Sequence, residues 1–298
     1  MDLQHLKYFQ TVARLEHMTY AAQQLHMAQP ALSVIISRME EQLGMPLFNR
    51  EGRRIKLNAY GKIYLEKVNI ALHALEEGQR EMADLAGIET STITIAATTL
   101  NRFSSVLGPY LAAHPQANFR ITQTAAEEMK VQLLHSGEID FVFAAPPVTS
   151  DGIAGVNLLT EEIMLVVPPT HRFASRGSIR LSEAADEPFI SLRPGYSFRD
   201  LTFSYCAQAG FVPRVVCEGD EPASIGSLVR AGLGVGFLPA AAHKNNSPLT
   251  FLKIEEPVCR RTMQLAWLEG RYLSEAARSF RDYVISCFSS DNSKLEVD

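Results

Sequence analysis

The chain has 298 residues, more than the usual ~100–200 of a single domain, so two or three domains are expected. Its composition is 46% hydrophobic and 20% charged, which is typical of a globular protein, and no stretch reaches the ~18 consecutive apolar residues of a membrane helix. The net charge of −5 speaks against nucleic acid as a partner unless basic residues are concentrated in one part of the chain.

Cysteine and histidine positions indicate no built-in metal or disulfide chemistry. Cys206, Cys217, Cys259 and Cys287 show no CxxC spacing, and the eight histidines show no metal-ligand spacing. We therefore expect no disulfide framework, no metal and no cofactor. The first residues lack the basic and apolar regions of a secretory signal, which favours reduced thiols in a cytoplasmic protein without a membrane partner.

Helical periodicity dominates the first 44 residues. Apolar residues at helical spacing predict a first helix over about residues 2–15, and Thr19 is expected to cap a short second helix that carries Ala21 and Ala22. A third helix is predicted to begin near Gln29-Pro30 and to end at Gly44. Its apolar seam recurs every three or four residues: Leu32, Ile36, Met39 and Leu43.

A β-hairpin and a long helix are predicted next. Residues 46–57 alternate about a Glu51-Gly52 turn, which indicates a hairpin with a basic tip. Residues 59–86 contain no proline and follow a heptad rhythm at Tyr64, Val68, Ala71, Leu75, Gly78, Met82 and Leu85. A helix of roughly 28 residues would span ~42 Å. We interpret it as a dimerising linker; the alternative is a helix packed on its own domain.

From residue 92 onward, strand and helix patterns alternate. Strands are predicted at 92–96, 119–123, 141–144, 163–167, 188–192, 213–218, 234–238 and 263–267. Helices are predicted at 101–113, 125–136, 198–209, 222–231 and 274–287. This alternation indicates mainly parallel sheets with helices on both faces, and therefore an α/β fold overall.

Basic residues are concentrated near the N-terminus. Residues 1–58 hold seven Lys and Arg against five Asp and Glu, a net charge of +2, and five of those seven basic residues lie between positions 38 and 56. The rest of the chain is acidic. A basic segment on an acidic body predicts a DNA contact directed to one face of the protein.

The N-terminal residues closely resemble the signature of LysR-type transcriptional regulators. The matching run is Ala21-Ala22-x-x-Leu25-His26-x-x-Gln29-Pro30-Ala31-Leu32-Ser33-x-x-Ile36-x-x-Met39-Glu40-x-x-Leu43-Gly44-x-Pro46-Leu47-Phe48-x-Arg50. Later segments resemble landmarks of the family's effector domain: Gly137-Glu138-Ile139-Asp140, Pro168-Pro169-x-His171, Val229-x-Ala231-Gly232-Leu233-Gly234-Val235 and Leu238-Pro239. Three positions depart from the pattern, since Ala28, Val34 and Ile35 stand where a hydroxyl cap, a basic residue and a polar residue are usual.

This resemblance implies a domain plan and a set of partners. A winged helix-turn-helix is expected at 1–58, with the helix-turn-helix at about 18–37, then a linker and dimerisation helix at 59–87 and an effector-binding domain at 88–298. That domain should resemble type 2 periplasmic binding proteins, with subdomain I at about 90–162 and 266–288 and subdomain II at about 163–265. The implied partners are double-stranded DNA, a small-molecule effector, and further copies of the chain in dimers that assemble into tetramers.

The predicted DNA readers lie opposite the apolar seam of the third helix, because the start of that helix meets base edges in helix-turn-helix proteins. They are Gln29, Pro30, Ser33, Val34, Ser37 and Arg38. Gln29 suits adenine, and Pro30 and Val34 suit thymine methyl groups. Alternatively, the serines are merely exposed and Arg38 pairs with Glu41. The hairpin arginines, Arg50, Arg53 and Arg54, are expected to meet phosphates or a minor groove unless they form a solvated turn.

Polar residues follow several predicted strands of the effector domain, where ligands of such sheets bind. The predicted effector-binding residues are Thr98, Thr99, Thr124, Ser191, Arg193, Ser197 and Phe198. Arg193 is the expected carboxylate ligand, since a guanidinium pairs with planar anions through two hydrogen bonds. A surface arginine in a loop is the open alternative. The effector is therefore expected to be a small anionic metabolite that shifts DNA affinity or bending.

Two alternative functions were considered for the sequence, an enzyme and a solute-binding protein. The glycines of Gly232-Leu233-Gly234-Val235-Gly236 follow a helix and enter a strand, whereas a dinucleotide-binding enzyme needs a strand, a glycine turn and then a helix. Gly195-Tyr196-Ser197-Phe198-Arg199 lacks the second glycine of a nucleophile elbow. A solute-binding protein would match the C-terminal module, but not the first 58 residues. The sequence predicts a regulator and not an enzyme.

Overall fold

The computed structural model describes residues 2–51, 54–87, 92–98, 104–245 and 248–295. They belong to two compact units. The N-terminal unit comprises Met1–Thr90 with Gln132–Ile139, and the C-terminal unit comprises Ser91–Val131 with Asp140–Asp298.

The N-terminal unit begins with three helices, a hairpin and a long helix. Their bounds are α1 Leu3–Leu15, α2 Met18–Gln24, α3 Gln29–Leu43, β1 Phe48–Glu51, β2 Arg54–Leu57 and α4 Ala59–Leu85. Gly44 ends α3 in the left-handed region (φ 71°), as predicted. The expected cap of α2 was wrong: Nδ1 of His17 accepts from the backbone N–H of Tyr20 at 3.4 Å, and Thr19 lies inside the first turn. The imidazole nitrogen takes the place of the hydroxyl because the helix starts earlier.

The core of this unit lies among the three helices. Phe9, Leu32, Ile36 and Met39 are buried, and the small side chains of α2 at positions 21 and 22 are buried with them. The hairpin is held to the helices by carboxylates. Glu40 Oε1 accepts from the backbone N–H groups of Leu47 (2.7 Å) and Phe48 (3.2 Å), and Glu16 Oε1 accepts from that of Leu57 (2.9 Å).

The long helix α4 packs against the core of the N-terminal unit near its start, whereas apolar residues near its end are exposed. Val68 and Leu72 are buried in the core of the N-terminal unit. Leu75, Met82 and Leu85, which belong to the predicted heptad seam, are exposed. Of the predicted seam, Tyr64 and Val68 thus pack within the unit, and the second half presents an apolar surface.

The elements after α4 alternate as predicted, with two main differences. The strands are β3 Thr92–Ala97, β4 Asn118–Gln123, β5 Phe141–Ala144, β6 Ile153–Val167, β7 Ser178–Ile179, β8 Pro188–Leu192, β9 Arg214–Gly219, β10 Val235–Pro239, β11 Thr250–Ile254 and β12 Arg260–Leu268. The helices are α5 Ser104–Ala113, α6 Glu127–Ser136, α7 Ser197–Gln208, α8 Ser224–Arg230 and α9 Glu275–Leu295, with short 3₁₀ turns at Leu181–Ala184 and Ala240–Asn245. The differences are that β7 and β11 were not predicted and that β6 is three times the predicted length. Four of its first ten residues are polar, so their hydrophobic pattern is weak.

In the described residues, ten strands form one sheet in the order β4-β3-β5-β12-β6-β10-β8-β9, and β11 and β7 extend it from β6. The long strands β6 and β12 are antiparallel neighbours. The strands β3, β4 and β5 are mutually parallel on one side of this pair, and β8, β9 and β10 are parallel on the other. The carboxyl ends of β3, β5 and β8 therefore carry the loops where a ligand would bind.

Two buried thiols predict how the stability of the C-terminal unit depends on pH. Burial raises the pKa of Cys206 and of Cys259 from 9.0 to about 12, with a smaller contribution at Cys206 from its neighbour Cys259. Unfolded thiols ionise near pH 9 while the folded ones stay protonated, so the free energy of unfolding should fall between pH 9 and 12. Urea unfolding at pH 8 and pH 10.5 tests this, and a Cys206→Ala/Cys259→Ala variant should show a smaller fall than the parent. An equal fall in both proteins would contradict the assignment.

Candidate DNA interface and ligand cavity

The exposed face of α3 carries the predicted DNA readers. Gln29, Pro30, Val34 and Arg38 are exposed, and Ser33 and Ser37 are half-buried, while Leu32, Ile36 and Met39 on the opposite face are buried. Val34 is 49% exposed although it is apolar, which suits contact with another apolar surface better than contact with water. Within the described residues Arg38 makes no ion pair with Glu41, so its guanidinium is available to a ligand of this face.

The start of α3 has the features of an anion-binding helix end. Its N-cap, Ala28, makes no side-chain cap hydrogen bond, as the departure from the family pattern predicted. The first backbone N–H groups of the helix therefore lack a partner from that side chain, and they point toward the end where Gln29 and Pro30 lie. A phosphate group is the natural acceptor for such N–H groups.

The predicted arginines of the hairpin are only partly described. Arg50 and Arg54 lie in β1 and β2, where Arg50 pairs with Ile55 and Glu51 with Arg54. Arg53 lies outside the described residues, and so do the side chains of Arg50 and Arg54.

A cavity of about 210 Å³ lies in the C-terminal unit at the carboxyl ends of the parallel strands. Its walls come from the ends of β3, β5, β8 and β10, the first turns of α7 and α8, and the strand β12. Most lining side chains are apolar, among them Phe143, Leu192, Ile225 and Phe237. The polar side chains are Thr98, Ser197 and Arg261. An apolar pocket with a few polar groups is the usual form of a small-molecule site.

The structure brings three of the predicted effector residues together, Thr98, Ser197 and Phe198, which all line this cavity. Thr124 and Ser191 do not line it: Oγ1 of Thr124 accepts from the N–H of Ala126 (3.3 Å) ahead of α6, and Ser191 is buried within β8. Thr99 lies outside the described residues.

The expectation for Arg193 needs correction. Its side chain is 60% exposed and pairs with the equally exposed Asp220 at 3.0 Å, and it is not part of the cavity wall. It lies just beyond the end of β8, two residues before Gly195, whose φ of 94° is in the left-handed region. An acidic partner in water satisfies the guanidinium there, so the open alternative of a surface arginine in a loop describes its environment better.

Among the described residues, Arg261 is the arginine that lines the cavity, and it was not predicted from the sequence. Its Nε and Nη2 donate to Oε1 of Glu161 at 2.8 and 2.7 Å, and its Cζ lies 5.3 Å from the ring centroid of Phe198. It was overlooked because the strand was predicted to begin at Met263. The adjacent basic pair Arg260-Arg261, followed by an alternating strand pattern, was the available signal.

A second ion pair lies behind the wall of the cavity. The side chain of Lys130 is fully buried, and its Nζ donates to Thr98 Oγ1 (2.6 Å) and to Glu127 Oε1 (2.9 Å). The same Glu127 oxygen accepts from Ser197 Oγ at 3.0 Å. Glu127 and Lys130 are three residues apart on α6, a spacing that sequence analysis cannot distinguish from an exposed helical ion pair.

The described residues show neither a membrane-spanning helix nor a metal-binding cluster. None of their helices combines the length with the apolar composition that a bilayer requires. No group of three or more His, Cys, Asp or Glu side chains in the described ranges is arranged to hold a metal ion.

Comparison with known proteins assigns both units. The family model "Bacterial regulatory helix-turn-helix protein, lysR family" matches residues 3–62, and "LysR substrate binding domain" matches residues 86–287. The chain is 36% identical to the uncharacterized HTH-type transcriptional regulator YybE of Bacillus subtilis over 97% of its length and 100% of that protein. It is 32% identical to the transcriptional dual regulator GltC of B. subtilis, over 97% and 98%.

A solved structure shows the same fold. The crystal structure of full-length CbnR complexed with its target DNA is similar with a TM-score of 0.71 and 22% identity, over 95% of this chain and 99% of that one. A DNA-binding helix-turn-helix joined to a ligand-binding α/β domain defines a ligand-responsive transcriptional regulator. This chain belongs to the LysR family of such regulators, which confirms the predicted family, fold and regulatory function and sets aside the enzyme alternative.

Proposed function

We propose that this regulator binds an operator through the exposed face of α3 and the hairpin arginines, and that a small anionic metabolite in the cavity changes its DNA affinity or bending. The observation that carries the proposal is the division of α3 into a buried seam and an exposed face that begins at Gln29. The DNA complex of the similar regulator CbnR supports it.

The polar and the apolar side chains of this face are proposed to contact different groups of the DNA. Gln29 at the start of α3 suits an adenine edge, and Ser33, Ser37 and Arg38 suit phosphate or base acceptors. Pro30 and Val34 suit thymine methyl groups. Arg50, Arg53 and Arg54 are proposed to contact phosphates or a minor groove.

Replacing Gln29 by alanine tests this interface. Loss of a bidentate base contact should weaken operator binding by roughly 5- to 150-fold, equivalent to about 1–3 kcal/mol, and should relax base preference at one position. The measurement is a gel-shift titration on the intergenic DNA beside the regulator's own gene, after footprinting. Gln42→Ala is the matched control, since Gln42 is exposed at the far end of the same helix. Equal effects of the two substitutions would contradict the reading role of Gln29.

The hairpin arginines should give a different signature. Arg53→Ala should reduce the slope of log K against log salt by about 1, with little change in base preference, because a phosphate contact releases counterions without reading sequence. An unchanged slope would remove Arg53 from the footprint.

For the effector, we propose Thr98, Ser197 and Phe198 as cavity contacts, with Arg261 in the role first expected of Arg193. Thr99, Thr124 and Ser191 flank this set in the sequence and are proposed to support it from the strand ends. A cytoplasmic location is part of the proposal, since the operator lies there.

We further propose that the chain acts as a dimer and a tetramer, and that the exposed half of α4 forms the dimer contact. Leu75, Met82 and Leu85 leave an apolar strip on that helix, which a second copy would bury. The proposed domain division is 1–58 for DNA binding, 59–87 for dimerisation and 88–298 for effector binding, with subdomain I at about 90–162 and 266–288 and subdomain II at about 163–265. Two linked copies bind two half-sites more tightly than one copy binds one.

A further inference from the structure

One carboxylate oxygen beside the cavity lacks a partner. Oε1 of Glu127 accepts from Lys130 and Ser197, but no donor of the described residues reaches Oε2, although that atom is buried. Buried polar atoms in folded proteins almost always have a hydrogen-bond partner, so an exception calls for an explanation. A donor supplied by a ligand is one explanation that the position of Glu127 allows.

Glu127 lies directly behind the cavity wall. Its hydrogen-bond partner Ser197 lines the cavity, as does Thr98, which contacts Lys130, and so does Ala145. The hydroxyl of Ser197 lies within hydrogen-bond distance of Glu127 Oε1 (3.0 Å) and of the Ala145 carbonyl oxygen (3.3 Å). If this hydroxyl donates to Ala145 alone, Oε1 of Glu127 keeps Lys130 as its donor, and no backbone movement is needed.

The second polar group of the cavity is a donor. The ion pair of Arg261 with Glu161 uses Nε and Nη2, which leaves Nη1 outside the pair. The guanidinium lies over the ring of Phe198, next in sequence to Ser197. The N-terminus of α7 thus joins the two polar groups: Ser197 contacts the acceptor Glu127, and Phe198 contacts the donor Arg261.

The charges and the volume limit the occupant. Both cations that the described residues place here already have an anionic partner, Lys130 with Glu127 and Arg261 with Glu161, so neither is free to neutralise a ligand with several negative charges. The cavity volume of about 210 Å³ exceeds the ~150 Å³ of a cavity that holds a benzene ring. One ring or a short chain fits, and the remaining wall is apolar.

We propose that the cavity binds a small carboxylic acid with an apolar body and a second polar group that donates a hydrogen bond, a hydroxyl or an ammonium. The carboxylate accepts from Nη1 of Arg261, and the donor binds Oε2 of Glu127. This inference rests on the proposed ligand-binding role of the cavity and specifies the class of ligand.

Matched acids test the proposal in calorimetric titrations of the full-length protein. The probes are hexanoate, 2-hydroxyhexanoate and 2-aminohexanoate, and as a ring series benzoate, 3-hydroxybenzoate and 3-hydroxybenzyl alcohol. In at least one series the acid with a donor should bind about 10- to 100-fold more tightly than the acid without it, as a hydrogen bond to a charged group provides. The alcohol, which lacks the carboxylate, should bind weakly or not at all.

Substitutions test whether Glu127 causes the preference for acids with a donor and whether Arg261 binds the carboxylate. Glu127→Gln should reduce the preference for 2-aminohexanoate over hexanoate at least tenfold. Glu128→Gln, the same change at the exposed neighbouring residue, should leave this preference unchanged. Arg261→Lys should weaken every carboxylate and leave the donor preference intact, and it keeps the proposal testable if Glu127→Gln does not fold. Equal binding of acids with and without a donor, or binding of none of them, would overturn the proposal.

Gel shifts on the same preparations separate this inference from the regulatory function. If donor-bearing acids bind in the predicted order but DNA binding does not respond, the ligand class stands and the effector role fails. If DNA binding responds to another metabolite while none of these acids binds, the effector role stands and the ligand class fails.

Discussion

Alanine at position 61 will abolish operator binding and lower the free energy of unfolding of the N-terminal unit by about 1–3 kcal/mol or more, the range found for overpacked sites. A Cβ on Gly61 would lie 2.2 Å from the carbonyl oxygen of Leu47 and 2.7 Å from Cδ1 of Leu57. The first of these is backbone, and it accepts from the N–H of Asn58 at 3.0 Å. The hairpin must therefore move away from α4, and the strands that carry Arg50 and Arg54 move with it.

A second glycine-to-alanine substitution on α4, at Gly78, provides the control. A Cβ at Gly78 meets nothing within 4 Å, so Gly78→Ala should stabilise α4 by up to about 1 kcal/mol through helix propensity. Urea unfolding monitored by circular dichroism, with gel shifts on the operator, measures both effects. If Gly61→Ala binds DNA as tightly as the parent, the close contact with Leu47 does not position the hairpin.

Replacing Glu161 by methionine will destabilise the C-terminal unit by about 3 kcal/mol, because it leaves the guanidinium of Arg261 in the cavity wall without its anion. Glu161 and Arg261 are directly paired residues of β6 and β12, and their side chains are only 6% and 18% exposed. The solvent that reaches Arg261 places the effect at the lower end of the range for buried pairs.

The double variant Glu161→Met/Arg261→Met distinguishes the ion pair from simple loss of packing. Two apolar side chains of similar length should restore the free energy of unfolding to near that of the parent, since neither buried charge remains. Thermal unfolding of the four proteins of the double-mutant cycle gives the coupling energy. A double variant that is as unstable as the sum of the single variants would show that the two side chains act independently.

The helices of the N-terminal unit follow from local signals. The spacing of Leu32, Ile36 and Met39 specifies one buried face of α3, and Gly44 specifies its end, so the position of the exposed face follows from the helix itself. The cap of α2 was predicted less well, because propensity favours the hydroxyl of Thr19 whereas tertiary packing begins the helix after His17.

The residues that line the cavity were also predicted only in part. Thr98, Ser197 and Phe198 were found from sequence because each follows a predicted strand, and parallel strands bring their carboxyl ends together. Arg193 satisfied the same rule, yet it faces solvent beside Asp220. The rule specifies an edge of the sheet and not the direction of a side chain.

Sequence by itself determined the family, the order of most elements and the exposed face of α3, since these depend on residues three or four positions apart or on a long ordered motif. Only the tertiary structure determined which charged groups lie at the cavity. Arg261 meets Glu161 across 100 positions of chain, and Ser197 meets Glu127 across 70. Such pairs leave no periodic signal, because they form only when the long strands β6 and β12 and the helices α6 and α7 have packed.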